Sequence, residues 1–150
     1  MKPIEYLNKY EYIENDVIYL KLNEFNIGDE VVIPYYYYNI HRKSDNVIVG
    51  KISIRIGHNY HSYYNGNIGY EIFPVFRGNN YSYIASNLAL KVAKEYKMKY
   101  LILSCEASNI PSNKTITKMG ALLIEKVTPP SDYFGYHKEM KEYNIYKLIL

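Results

Sequence analysis

The sequence has no tryptophan, a single cysteine (Cys105), three arginines (Arg42, Arg55 and Arg77) and no apolar run approaching membrane-spanning length. Each scarcity excludes something. A lone cysteine cannot close a disulfide within the chain or build a multi-thiolate metal site, so no metal is expected. With so few arginines, no dense basic run and a formal net charge of +3, the chain lacks the electrostatic footprint of a nucleic-acid binder. The lack of a long apolar run argues against a membrane helix. Glu5 falls where a secretory leader would begin its apolar region, which makes a reduced cytoplasm the expected compartment. Charged residues make up 22% of the chain, an ordinary share that rules out a disordered polyampholyte.

Tyrosine, by contrast, is abundant, with 20 residues in 150. It arrives with frequent asparagine, isoleucine and lysine, as AT-rich codon usage would give. Its physical consequence is a preference for half-buried strand faces, where the ring packs and the hydroxyl reaches water or a carbonyl. Setting tyrosine aside, about a third of the chain is unambiguous core former, enough for one domain spanning residues 1–150.

Residues 17–22 and 31–41 are rich in β-branched and aromatic side chains and are separated by the turn Asn26-Ile27-Gly28-Asp29, which predicts two strands. The second contains Tyr35-Tyr36-Tyr37-Tyr38. Strand alternation allows at most every other one of these rings onto one face, so packing, not a base-stacking platform, is the expected role. Residues 51–56 alternate polar and apolar as a third strand, 57–66 read as a polar, glycine-bounded loop, and 67–73 form a fourth strand stopped by Pro74. In that loop His58 and His61 have no evident third ligand, and solvated side chains are expected.

From Tyr81 the period changes. Ile84, Leu88, Val92 and Tyr96, beside Ala85, Ala89 and Ala93, draw one apolar stripe on a helix of about four turns. Residues 100–105 follow as a continuously apolar strand buried on both faces, and this strand, helix, strand order predicts a right-handed parallel crossover. Asn109-Ile110-Pro111-Ser112 starts a short helix that stops at Gly120. Residues 122–126 and 145–150 are further strands, with 133–143 unassigned between them.

Where the fourth strand passes through residues 74–82 into the long helix, successive backbone N–H groups and a helix amino terminus converge. First-turn amides lack intrahelical acceptors and the helix dipole adds positive potential, so a pyrophosphate would fit there.

With these residues in place, the sequence resembles the GNAT superfamily of acetyl-CoA-dependent N-acyltransferases, nearest to the branch that acetylates ribosomal-protein amino termini. The resemblance runs from about Val17 to the carboxyl terminus. Its most specific parts are Ile68-Gly69-Tyr70-Glu71-Ile72 through Phe76-Arg77-Gly78, then Asn109-Ile110-Pro111-Ser112 and Lys118-Met119-Gly120-Ala121. The family loop, Arg/Gln-x-x-Gly-x-Gly/Ala, reads here as Arg77, Asn80 and Ser82. Asparagine is the non-glycine residue most tolerant of left-handed backbone, and serine is small, so both can preserve the loop shape.

The resemblance implies an α+β fold: a mixed, mostly antiparallel sheet of about seven strands with flanking helices, splayed between strands four and five. It implies acetyl-CoA as cosubstrate, a primary amine as acceptor, and direct attack in a ternary complex, with a homodimer among the candidate assemblies. The implied cofactor-binding residues are Ile72, Phe73, Arg77, Gly78, Asn79, Asn80, Tyr81, Ser82, Asn109, Ser112 and Lys114. The tyrosine that protonates the departing thiolate in many members would stand at Ile116. Ser112, three positions after Asn109, takes the acid role in its place, and Glu71 is the candidate base. Asn109 and Ser112 are equally readable as helix-capping residues.

One departure concerns architecture. Members of the family insert two helices between their first two strands as a wall of the acceptor site, and residues 23–30 cannot hold two helices. The wall is expected from residues 1–16, from 133–143, or from a partner subunit. An alternative function is a non-catalytic GNAT-like module that binds CoA or regulates.

Overall fold

The computed structural model describes residues 4–150. The chain forms two antiparallel sheets. The first, in spatial order β1 (Tyr12–Glu14), β2 (Ile18–Asn26), β3 (Tyr35–Arg42), β4 (Ile48–Arg55) and β5 (Ile68–Ile72), is a meander. The second has β6 (Tyr100–Glu106) at one edge and β7 (Leu122–Val127) at the other, with β8 (Tyr143–Ile149) between them. Every ladder is antiparallel. The crossover expected to give a parallel pair therefore leaves β5 and β6 in different sheets. Among the described residues three α-helices complete the fold: α1 (Tyr60–Asn65), α2 (Tyr81–Glu95) and α3 (Ile110–Lys118).

Alternation along β3 sorts the tyrosine run. Tyr36 and Tyr38 are fully buried, whereas Tyr35 and Tyr37 on the opposite face are half-buried. The buried rings keep their hydroxyls satisfied: Tyr38 donates to the Tyr10 carbonyl at 2.6 Å, and Tyr36 and Tyr96 share a hydrogen bond of 2.7 Å. α2 lies over this face and buries Tyr81, Ala85, Leu88, Ala89, Val92 and Ala93, a stripe at helical spacing. The alanines let the helix approach β2, β4 and β5 closely, and one buried cluster takes side chains from both sheets.

Besides this shared core, the sheets are joined by hydrogen bonds at Asn67, the residue before β5. The Asn67 N–H donates to the Ile102 carbonyl at 2.6 Å, and Asn67 Oδ1 accepts from the Ile102 N–H at 2.8 Å. Beyond this joint β5 and β6 share no ladder, so their facing backbone edges diverge into a wedge.

Several expectations need correction. Residues 60–65 are the helix α1, not loop. Its apolar periodicity is too short to read, but a reciprocal capping box between Asn59 and Ser62 fixes it. The linker between β2 and β3 has no helix, as expected, and is turned by Asp29, whose Oδ1 accepts from the N–H groups of Val31 and Val32. Of the amino-terminal segment, residues 1–3 lie outside the described residues. The rest forms a 3-10 turn (Asn8–Glu11) and β1. Among the described residues, no helix is long and apolar enough to cross a membrane.

Candidate active site

The wedge between β5 and β6 holds two cavities that share Tyr70, Asn109 and Ser112 as lining. The outer cavity, about 490 Å³, is bounded by the end of β5, the 76–82 turn and the start of α3. The inner one, about 360 Å³, reaches back toward Arg55, Asn65, Ser104 and Tyr133, with Glu106 also on its wall.

The outer cavity is built around the amino terminus of α2. Asn80 occupies the N-cap position in left-handed conformation (φ 66°, ψ 18°) and makes no side-chain cap. α1 and α3, by contrast, are capped by the side chains of Asn59 and Asn109. The first-turn N–H groups of α2 therefore lack a side-chain acceptor and carry the positive end of the helix dipole. Gly78 (φ 86°) turns the chain into the helix with open space beside its Cα. Arg77 Nε donates to the Ile72 carbonyl at 3.0 Å, which fixes the turn against β5. Asn79 donates to the Phe76 carbonyl at 2.9 Å.

Of the residues singled out for the cofactor, Ile72, Arg77, Gly78, Asn80, Tyr81, Ser82, Asn109 and Ser112 line this cavity. Phe73 and Asn79 lie beside it without lining it. Lys114 lies elsewhere on α3, lining a groove with Ala107, Ile110 and Asn113.

At the junction of the cavities, Ser112 Oγ and the Tyr70 hydroxyl share a hydrogen bond of 3.0 Å. Burial raises the Tyr70 phenol above its ordinary range, and the hydroxyls of Ser112, Thr115 and Ser82 counter this in part. Tyr70 is the residue that sequence reasoning left undistinguished among 20 tyrosines. Its hydroxyl approaches the first turn of α3 from β5, whereas Ile116 is buried against the inner cavity. Asn109 Oδ1 accepts from the Ser112 N–H at 3.2 Å, so it caps α3 while lining both cavities. Glu71 is exposed, pairs in register with Lys51 and borders the outer cavity. Glu106, which the sequence gave no reason to single out, borders the inner one. Burial pushes the Cys105 thiol up to about 11, so it sits on the inner wall as a neutral packing group.

A third cavity of about 430 Å³ shares Arg55 and Asn65 with the inner one and is walled by Tyr35, Tyr37, α1 residues and Phe134. The 128–142 segment is held onto α1 there. The Phe134 N–H donates to His61 Nδ1 at 3.0 Å, and the Tyr60 hydroxyl bonds Asp132. His61 is a half-buried structural acceptor, while His58 is exposed as expected and stacks on Tyr100 with ring centroids 4.2 Å apart. Residues 4–14 pack toward the far end of α2, through the Tyr96 hydroxyl on the Glu5 carbonyl and the Lys9–Glu95 ion pair, and do not line these cavities.

The acetyltransferase (GNAT) domain family matches residues 8–122. The chain belongs to this family. Its fold is similar to that of a GNAT-family acetyltransferase from Bacillus anthracis (22% identity, TM-score 0.61, 75% of this chain and 65% of that one). It is also similar to the microcin C7 self-immunity acetyltransferase MccE, whose structure contains acetyl-CoA and AMP (22% identity, TM-score 0.59, 77% and 61%). A third similar structure is the Salmonella typhimurium acetyl transferase that modifies the N-terminal serine of the 50S subunit protein L7/L12 (19% identity, TM-score 0.60, 77% and 64%). In each case the match spans less than two thirds of the other chain. No curated protein matches the sequence significantly.

Proposed function

We propose that this chain transfers an acetyl group from acetyl-CoA to a primary amine, acting as one catalytic unit, with the amine on a small molecule or a peptide. The observation that carries this reading is the uncapped amino terminus of α2, opening onto a cavity that ends at the Tyr70–Ser112 hydroxyl pair. The amides of residues 78–82 and the α2 dipole would hold the pyrophosphate. The backbone edge of β5 beyond Asn67 has no neighbouring strand, which leaves main-chain groups near Tyr70 and Ile72 free to hold an extended amide-bearing chain.

When bound, acetyl-CoA supplies the thioester whose carbonyl an amine attacks. Ser112 Oγ would give a proton to the departing sulfur, and the Tyr70 hydroxyl, hydrogen-bonded to it, would pass on the replacement. Burial raises the Tyr70 phenol, so it stays protonated across the working pH range, and the proton shed by the attacking amine restores whichever hydroxyl of the pair has given up its own. Glu106 on the inner cavity and Glu71 on the outer one are the carboxylates near the path of the amine proton. The acceptor wall is built by α1 together with Tyr133 and Phe134.

Thiol release with Ser112→Ala and Tyr70→Phe tests the acid assignment. Each should lower kcat by about 10- to 100-fold, a larger effect than any on acetyl-CoA affinity. Unchanged kcat in both would remove the pair from the mechanism. A second reading, a module that binds CoA without turnover, draws on the buried Ile116 at the position the family fills with its acid. Binding with no turnover across a broad amine panel would favour it.

A further inference from the structure

Arg55 stands at the end of β4 where the inner cavity meets the one beneath Tyr35 and Tyr37, and it lines both. Its Nη1 donates to the carbonyls of Asn65 (3.2 Å) and Gly66 (2.8 Å) at the end of α1. Among the described residues Nε and Nη2 have no hydrogen-bond acceptor, and the three ion pairs, Lys9–Glu95, Arg42–Asp45 and Lys43–Glu14, do not include Arg55. The guanidinium also has space reserved for it. A Cβ at position 69 would stand 2.8 Å from Nη2, so glycine on β5 is what lets the head lie across the strand.

A cation drawn out of water without a counter-ion is costly. Desolvation dominates at Arg55, and the groups that offset it, Tyr133 and Tyr35, include no carboxylate. Carbonyls of α1 satisfy one edge of the guanidinium. The other edge, Nε with Nη2, is a planar two-donor fork, which matches the two coplanar oxygens of a carboxylate.

The inner cavity also has an opposite pole. The Gly66 that holds Arg55 packs against Ser104 of β6, and Glu106 lies two residues, roughly 7 Å of strand, further along toward Asn109 and Ser112. Positive charge thus lies at the end that meets the third cavity, and negative charge beside the hydroxyl pair where the amine would react. Ser86 Oγ, on the same cavity wall, is buried without a hydrogen-bond partner. A cavity of about 360 Å³ has room for an amino acid-sized molecule.

Resting on the acetyltransferase reading, we infer that the acceptor carries a carboxylate as well as its amine, and that Arg55 binds the carboxylate while the amine lies toward Glu106. Arg55 is then a specificity-determining residue. It orients the acceptor and takes no part in proton transfer.

The test uses matched acceptors that differ in the anionic group: a panel of amino acids, their methyl esters, the corresponding decarboxylated amines, and aminoalkyl phosphates, each assayed by thiol release from acetyl-CoA. The inference expects kcat/KM for an amino acid to exceed that of its ester and its decarboxylated amine by about tenfold or more. Arg55→Gln and Arg55→Lys should erase that preference by raising KM for the carboxylate acceptors, with the KM for acetyl-CoA unchanged. Because Arg55→Gln also strips donors from α1, Gly69→Ala provides a variant that keeps the charge and displaces the fork, and it should erase the preference too. Equal use of amino acids, esters and amines would overturn the inference and leave the acetyltransferase reading standing. Preference for aminoalkyl phosphates would overturn the carboxylate assignment. No turnover with any acceptor would overturn both.

Discussion

Asn67 is the sharpest point at which to test how the wedge is made. Its side chain is fully buried and makes three hydrogen bonds: Oδ1 accepts from the Ile102 N–H at 2.8 Å, and Nδ2 donates to the carbonyls of Arg55 at 2.9 Å and Gly57 at 2.8 Å. Asn67→Ala would leave one donor and two acceptors unpaired in a dry environment. At about 1–2 kcal/mol for each orphaned group, the loss is roughly 3–6 kcal/mol, a large part of a typical domain's stability. For a chain of this length that corresponds to a fall in Tm of roughly 10 °C. Asn67→Asp keeps the acceptor for Ile102 but turns a carboxylate toward two carbonyls, and it should cost at least as much as alanine. Urea denaturation followed by circular dichroism measures both. A loss below about 1 kcal/mol for Asn67→Ala would mean that the two sheets are held together elsewhere and that the joint does not set the wedge.

Other predictions concern pH and proton transfer. The Tyr38 phenol is raised well above its ordinary value, chiefly by burial, so the folded state holds that proton more tightly than the unfolded chain does. Its contribution is fully present below about pH 10, where an unfolded tyrosine begins to ionise, and is lost above it at up to about 1.4 kcal/mol per pH unit. Tyr38→Phe should flatten the alkaline limb of a stability–pH curve while costing about 1 kcal/mol at neutral pH, because the bond to the Tyr10 carbonyl is gone. An alkaline limb unchanged by the substitution would show that other tyrosines set it. For the base, Glu71→Gln and Glu106→Gln are compared by their pH–rate profiles. The carboxylate that takes the amine proton is the one whose removal abolishes the acidic limb, and a profile altered by neither means that the amine arrives already neutral.

Much of the fold was legible because it follows local periodicity. The alternation of Tyr35 to Tyr38 and the alanine-bearing stripe of α2 are one-dimensional patterns that survive into three dimensions. The left-handed backbone at Asn80 was legible too, since the turn into α2 needs a residue that tolerates it. What escaped were features made by distant side chains. Asn67 and Ile102 are 35 positions apart, and the space for Arg55 depends on a glycine across the strand pair. Nothing local marks either. Tyr70 was hidden by sheer number, since its distinction from other tyrosines is that its hydroxyl meets Ser112. α1 escaped because six residues are too few for an apolar repeat, although Asn59 and Ser62 did spell its capping box.

The most direct test is calorimetric titration of acetyl-CoA into the native protein and into Asn80→Asp. A carboxylate at the start of α2 favours the helix dipole, leaving stability unchanged or raising it by about 0.3–1 kcal/mol, yet it repels an anion at the same place. The account predicts that the native protein binds acetyl-CoA with one site per chain and that Asn80→Asp binds about tenfold more weakly or worse, at equal or higher Tm. No binding by the native protein, or equal binding by both, would contradict it.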